Sequence, residues 1–139
     1  MKKAVIDTNV LVAALRSRQG ASFKLLSLVD NGQFEIVVSV PLVFEYEYAL
    51  TKTADETGIP SSVVSDILNY LCSVSQHQDI FFLWRPMLRD PRDDMILEVG
   101  VASSANAILT YKKRDFDRAT SFDIEICSPF EFLHAEGLL

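Results

Sequence analysis

What is scarce in this chain removes several classes of protein at once. The two cysteines, Cys72 and Cys127, are far apart and form no CxxC pair. A disulfide scaffold and a structural zinc site are both poor readings. The two histidines, His77 and His134, have no partner at metal-ligand spacing. Nothing points to a Ser-His-Asp or Cys-His nucleophile. There is no GxGxxG and no Walker lysine motif, so dinucleotide and P-loop chemistry have no positive support. No apolar run approaches the roughly 20 residues that span a bilayer. An acid, Asp7, stands where a signal peptide would be apolar. The expectation is a soluble, cytoplasmic protein with no membrane contact. Basic residues are outnumbered, 13 against 19 acidic ones, for a formal charge of −6. That argues against holding nucleic acid through a general basic coat. A nuclease stays possible, because a cluster of metal-binding carboxylates is itself acidic.

What is present suits one domain covering residues 1–139. Apolar residues make up 49% and charged ones 23%, enough core and too little charge for wholesale disorder. Short β-type runs alternate with helical ones. Ala4 to Ile6 reads as a strand buried on both faces. Helical stretches follow from about Val10 to Leu15 and from Ser22 to Asp30, with a stop at Asn31-Gly32. Phe34 to Ser39 is a second strand, and Pro41 opens a helix to about Lys52. Ser61 to Ser75 reads as a helix capped by Ser61 or Ser62, and Ile80 to Leu83 as a short edge strand. Asp90-Pro91 starts a helix through about Ser104. Ala107 to Thr110 and Phe122 to Cys127 complete the strands, and Ser128-Pro129 caps a terminal helix ending near Gly137. This order implies a three-layer α/β/α fold with a mostly parallel central sheet of four to five strands. Sites in such sheets lie at the carboxyl ends of the strands, which directs attention to Asp7 and to Thr110 through Lys112.

Each acid has a plain reading and a chemical one. Asp7 follows a buried strand, where a carboxylate is costly unless bonded or metal-bound. It is equally a helix cap. Thr8 and Asn9 orient a nearby site or simply form the turn. Glu45 and Glu47 flank the apolar face of their helix on opposite sides, so periodicity does not choose between them. In the run Asp90-Pro91-Arg92-Asp93-Asp94, Asp90 is a good N-cap and Asp93 falls at the third helical position. Asp94 is not explained by capping and has the stronger claim to a functional role. Beyond Thr110, Asp115 reads as a ligand for metal or water, or as one charge in a surface loop. Arg16, Arg18, Lys112, Lys113 and Arg114 are the candidates for phosphate contact.

Taken in order, five segments resemble the PIN domain family of metal-dependent ribonucleases. They are Val5-Ile6-Asp7-Thr8-Asn9-Val10-Leu11, then Ser39 through Glu45 to Leu50, and Asp90-Pro91-Arg92-Asp93-Asp94. Ala107-Ile108-Leu109-Thr110 with Arg114-Asp115-Phe116 is the fourth, and Ser128-Pro129-Phe130-Glu131-Phe132-Leu133 the fifth. The likeness is strongest to the VapC-like toxins of toxin–antitoxin pairs. It implies that Asp7, Glu45 and Asp94 are the three strong acids, holding Mg²⁺ or Mn²⁺. It places Asp115 with them as a catalytic acid, and Thr8, Asn9 and Thr110 as supporting groups. It also implies an RNA substrate bound in part through Lys112 and Arg114, a protein antitoxin, and a homodimer.

One position departs from the family pattern. Two residues past the strand threonine, where Asp or Asn is usual, stands Lys112. An ammonium does not ligate a divalent ion and repels it. Either Asp115 supplies the missing oxygen, or one metal site is weak, or Lys112 points outward to phosphate. A catalytically impaired PIN-fold binding module is therefore the first rival reading. A haloacid-dehalogenase-type phosphohydrolase is another, disfavoured because its second acid would fall at Asn9. A receiver-like signalling domain lacks its N-terminal acidic pair here. The exposed-looking Phe44 and Tyr48 form either a dimer or antitoxin surface, or pack under the helix of Ser61 to Ser75.

Overall fold

The computed structural model describes residues 1–80, 88 and 90–139, apart from the side chains of Arg118 and Thr120. Five strands form one sheet in the order β3-β2-β1-β4-β5, every neighbouring pair parallel. They are β1 (Lys2–Ile6), β2 (Phe34–Val38), β3 (Gln76–His77), β4 (Ala107–Leu109) and β5 (Glu125–Cys127). Among the described residues, six α-helices flank the sheet: α1 (Thr8–Arg16), α2 (Ala21–Ser27), α3 (Val40–Thr57), α4 (Ser61–Val74), α5 (Pro91–Ser103) and α6 (Pro129–Ala135). The arrangement is the expected three-layer α/β/α fold with five strands.

The central strands are continuous apolar runs because both faces are covered. Ala4, Val5, Ile6, Ile36, Val37, Val38, Ile108 and Leu109 are all fully buried. Helix α5 lies against β1, β2 and β4. Gly100 allows that approach, since a Cβ there would lie 3.1 Å from Ile124 Cδ1 and 3.7 Å from Ile108 Cδ1. Phe132 of α6 meets Phe34 of β2 edge to face, with ring centroids 5.3 Å apart.

Several boundaries differ from expectation for local reasons. Helix α3 runs past Lys52 to Thr57, because nothing stops it before Gly58, which takes φ 74° as its C-cap. Helix α4 is preceded by Pro60 without a side-chain cap, so neither Ser61 nor Ser62 plays that part. The edge strand is Gln76–His77. The one expected at 80–83 falls, beyond Ile80, outside the described residues. Phe122 belongs to the 3-10 segment Lys113–Phe122 instead of to β5. Ser128 and Glu131 form a reciprocal capping box at α6.

Candidate active site

The carboxyl end of β1 delivers Asp7 directly into the start of α1. Its backbone is extended, its N–H donates to Leu109 O at 2.8 Å, and its side chain is 94% removed from solvent (6% exposed). The carboxylate caps the helix and is also bonded across to the end of β4. Oδ1 accepts from the Thr8 N–H at 2.7 Å, capping α1, and Oδ2 accepts from the Thr110 hydroxyl at 2.7 Å. That hydroxyl in turn accepts from the Lys112 N–H at 2.9 Å and from Asn9 Nδ2 at 3.3 Å. Asn9 Oδ1 accepts from the Tyr111 N–H at 3.3 Å. Thr8, Asn9 and Thr110 thus tie the ends of β1 and β4 into one bonded unit around Asp7. On the other side, the buried Tyr46 hydroxyl donates to the Ile6 carbonyl just before it.

Around Asp7 opens a cavity of about 370 Å³. Its acidic walls are Asp7, Glu45, Glu56, Asp90, Asp93 and Asp115; its basic ones are Lys52, Arg92 and Lys112. Glu45 lines it and Glu47 does not, lying instead by Thr51 and Asp55, so the fold separates the two glutamates that periodicity left equal. Burial raises the pKa of Asp7, opposed by the Thr110 and Thr8 hydrogen bonds and by the charge of Lys112. Asp93 is pushed up to about 7, first by burial and then by the charges of Asp7, Asp90 and Asp115.

The acid expected as the third, Asp94, does not line this cavity. Asp93 lines the cavity, whereas Asp94 is 1% exposed and accepts the Leu88 N–H at 2.8 Å. Sequence phase was a poor guide because α5 is buried almost all round: Ile96, Leu97, Glu98, Val99 and Gly100 are all covered. Asp90 is the N-cap as expected, accepting from the Arg92 N–H at 2.9 Å and pairing with Arg92 Nη2 at 3.1 Å. Asp93, expected at the cap alone, is the acid turned to the cavity.

The basic candidates divide. Lys112 is on the cavity wall; Arg114 is exposed and outside the lining. Lys113 is bonded to Glu131. Arg16 and Arg18 border a second, apolar groove of about 680 Å³, walled by Leu15, Phe23, Leu26, Val63, Ile67 and others. Lys52 and Arg92, which the sequence reading did not single out, take their place at the acids. Lys52 was findable: it lies seven residues, two helical turns, beyond Glu45 on the same face. Phe44 and Tyr48 are 65% and 64% exposed, so α4 does not cover them.

Three of the four expected acids, Asp7, Glu45 and Asp115, line the cavity together with Asp93, and carboxylate oxygens are hard donors of the kind that suit a divalent cation. Among the described residues, no group of three or more His, Cys, Asp or Glu is placed to hold a metal ion as the side chains stand.

The sequence profile of the PIN domain family matches residues 3–114. No curated protein matches the chain. Among solved structures, the crystal structure of VapBC2 from Rickettsia felis bound to a DNA fragment from their promoter contains a similar chain. The TM-score is 0.61 at 16% identity, covering 89% of this chain and 98% of that one. Identity at that level speaks to fold. The profile match spans most of the sequence, from β1 to just past β4, and takes in Asp7, Glu45, Asp93 and Asp94. The chain belongs to the PIN domain family.

Proposed function

We propose that this protein is a Mg²⁺- or Mn²⁺-dependent endoribonuclease and the toxin of a type II toxin–antitoxin pair, working in the cytoplasm. The observation that carries this reading is the meeting of Asp7, Glu45, Asp93 and Asp115 on one cavity at the ends of β1 and β4. Carboxylate oxygens are the donors that Mg²⁺ and Mn²⁺ prefer. Crowded acids such as Asp7 and Asp93 are in the state that a divalent cation relieves. An ion bound there supplies an activated water and charge stabilisation for phosphodiester hydrolysis.

The chain's own groups do the positioning. Each Asp7 oxygen uses one acceptor site, on Thr8 N–H or on the Thr110 hydroxyl, and keeps another for an ion. Those bonds hold the carboxylate's orientation before anything binds. Glu45, Asp93 and Asp115 complete the donor set. Lys52, Arg92 and Lys112 bring positive charge to the scissile region of a chain that is otherwise acidic. Tyr48 lines the cavity and offers an exposed ring to an unpaired base, which favours single-stranded or looped RNA.

The apolar groove between α1, α2 and α4 is the surface that suits a protein antitoxin. Val40 and Phe44 are spaced four apart on α3 and exposed, which suits a homodimer contact. The deciding experiment is a thermal-shift and RNA-cleavage assay with Mn²⁺, Mg²⁺ and chelator, wild type against Asp7→Asn. The expected result is metal-dependent stabilisation and cleavage, both lost in the variant. A folded wild type that shows neither is instead an impaired PIN-fold binding module.

A further inference from the structure

We propose that the Lys112 ammonium is a tethered cation of the acidic cavity, so that the chain takes one divalent ion where its walls would otherwise take two. This rests on the metal-dependent reading above and specifies its stoichiometry. The first argument is charge. Six acidic and three basic side chains line the cavity, a formal excess of three negative charges. One divalent ion brings that close to neutral. A second would have to sit against Lys112, and like charges repel. An aspartate at 112 would change the wall by two charges, which is the charge of one divalent ion.

The second argument is placement. Lys112 follows Thr110 by two residues, and its N–H is bonded at 2.9 Å to the same hydroxyl that donates to Asp7 Oδ2. The backbone of Lys112 is therefore held two hydrogen bonds from the central carboxylate, through the Thr110 hydroxyl. It lines the cavity, and its charge acts on Asp7, Asp90 and Asp93 alike. Of the other two cations, Arg92 is engaged with Asp90 at 3.1 Å. Lys52 stands on the α3 wall, away from the Thr110 link.

The test is calorimetric titration of the metal-free full chain with MnCl₂, comparing wild type, Lys112→Gln and Lys112→Asp. Lys112 is solvent-exposed, so both variants should fold, and circular dichroism verifies that. The expected result is one Mn²⁺ in the wild type, about fivefold or more tighter uptake in Lys112→Gln, and two Mn²⁺ in Lys112→Asp. Two ions in the wild type would overturn the proposal. So would one ion in all three proteins with affinities within about twofold, since Lys112 would then face away. Absence of uptake in all three, matched by Asp7→Asn, would overturn the metal-dependent reading itself.

Discussion

Two concave regions of this molecule share helix α1 and otherwise have little in common. The N-terminal end of α1, with Thr8, Asn9 and Val12, faces a cavity walled by six acids and three bases. Its C-terminal end, with Ala14, Leu15 and Arg16, faces a groove nearly twice as large and mainly apolar. The difference follows from what each end of the helix meets. The N-terminus sits at the carboxyl edge of a parallel sheet, where strands stop and polar turns begin. The C-terminus meets α2 and the start of α4, whose apolar residues are incompletely covered. The polar site is built by hydrogen bonds that fix single atoms, such as Thr110 on Asp7. The apolar site is built by shape. Contact between them is slight: Arg16 of the groove reaches Glu56 of the cavity at 4.0 Å, both more than half exposed. Such a pair is worth little, so the two regions should be separable by mutation.

The sharpest separation comes from Asp7→Asn. It keeps the size of the side chain and removes the charge that an ion needs. We expect cleavage of single-stranded RNA to fall by at least about 100-fold, a loss within the scale of electrostatic contributions to catalysis. The apolar groove should be unaffected, as read by fluorescence of a naphthalene sulfonate dye. The converse variant is Ile67→Asp, which puts a charge into the groove wall. Dye fluorescence should drop severalfold while Mn²⁺ stabilisation and RNA cleavage stay at wild-type levels. If either variant damaged both readouts in a folded protein, the two regions would be one coupled site.

How far the sequence showed this division can be argued residue by residue. Asp7 was legible because an acid ending a buried strand is expensive and therefore needs a reason. The strands and most helices were legible from continuous apolar runs and from Pro and Gly at their ends. The wall of the cavity was harder to see. Arg16 and Arg18 are close to Asp7 in sequence, yet α1 advances about 1.5 Å per residue and carries Arg16 some 13 Å away. Asp94 was preferred to Asp93 because capping did not explain it, but a helix buried nearly all round carries no amphipathic phase that could choose between them. The edge strand β3 was missed because Gln76 and His77 are polar, exposed and only two residues long.

Asp93 and Asp94 therefore make the next test. Asp94→Ala leaves the buried Leu88 N–H without its acceptor and should cost about 1–3 kcal/mol of stability by denaturant melt. Asp93→Asn should leave stability intact, or raise it in chelator, while reducing cleavage. Cleavage lost in Asp94→Asn, a variant that keeps an acceptor for Leu88, but kept in Asp93→Asn would return the third acid to the position implied by the family pattern.

The smallest expected effect concerns pH, and its two halves have opposite signs. In chelator, burial and the neighbouring acids push Asp93 up to about 7 in the folded protein, against an ordinary value of 3.8. Between those values the folded state holds more proton than the unfolded one, so stability falls as pH rises from about 4 to 7. Glu131 is held down at about 2 by Lys113 and by the Ser128 N–H, against 4.5. There the unfolded state holds more proton, and stability is lost as pH falls from about 4.5 to 2. Glu131 is close to fully solvated, so screening keeps this contribution small. The melting temperature in chelator should pass through a maximum near pH 4 to 5, with slopes of a few degrees on each side. Asp93→Asn should flatten the neutral side only, and Glu131→Gln the acid side only. Mn²⁺ should also flatten the neutral side, because an ion that keeps the acids charged removes the cost of ionising them. A neutral-side slope that persisted in Asp93→Asn would assign it to Asp7, whose carboxyl burial also raises, instead of to Asp93.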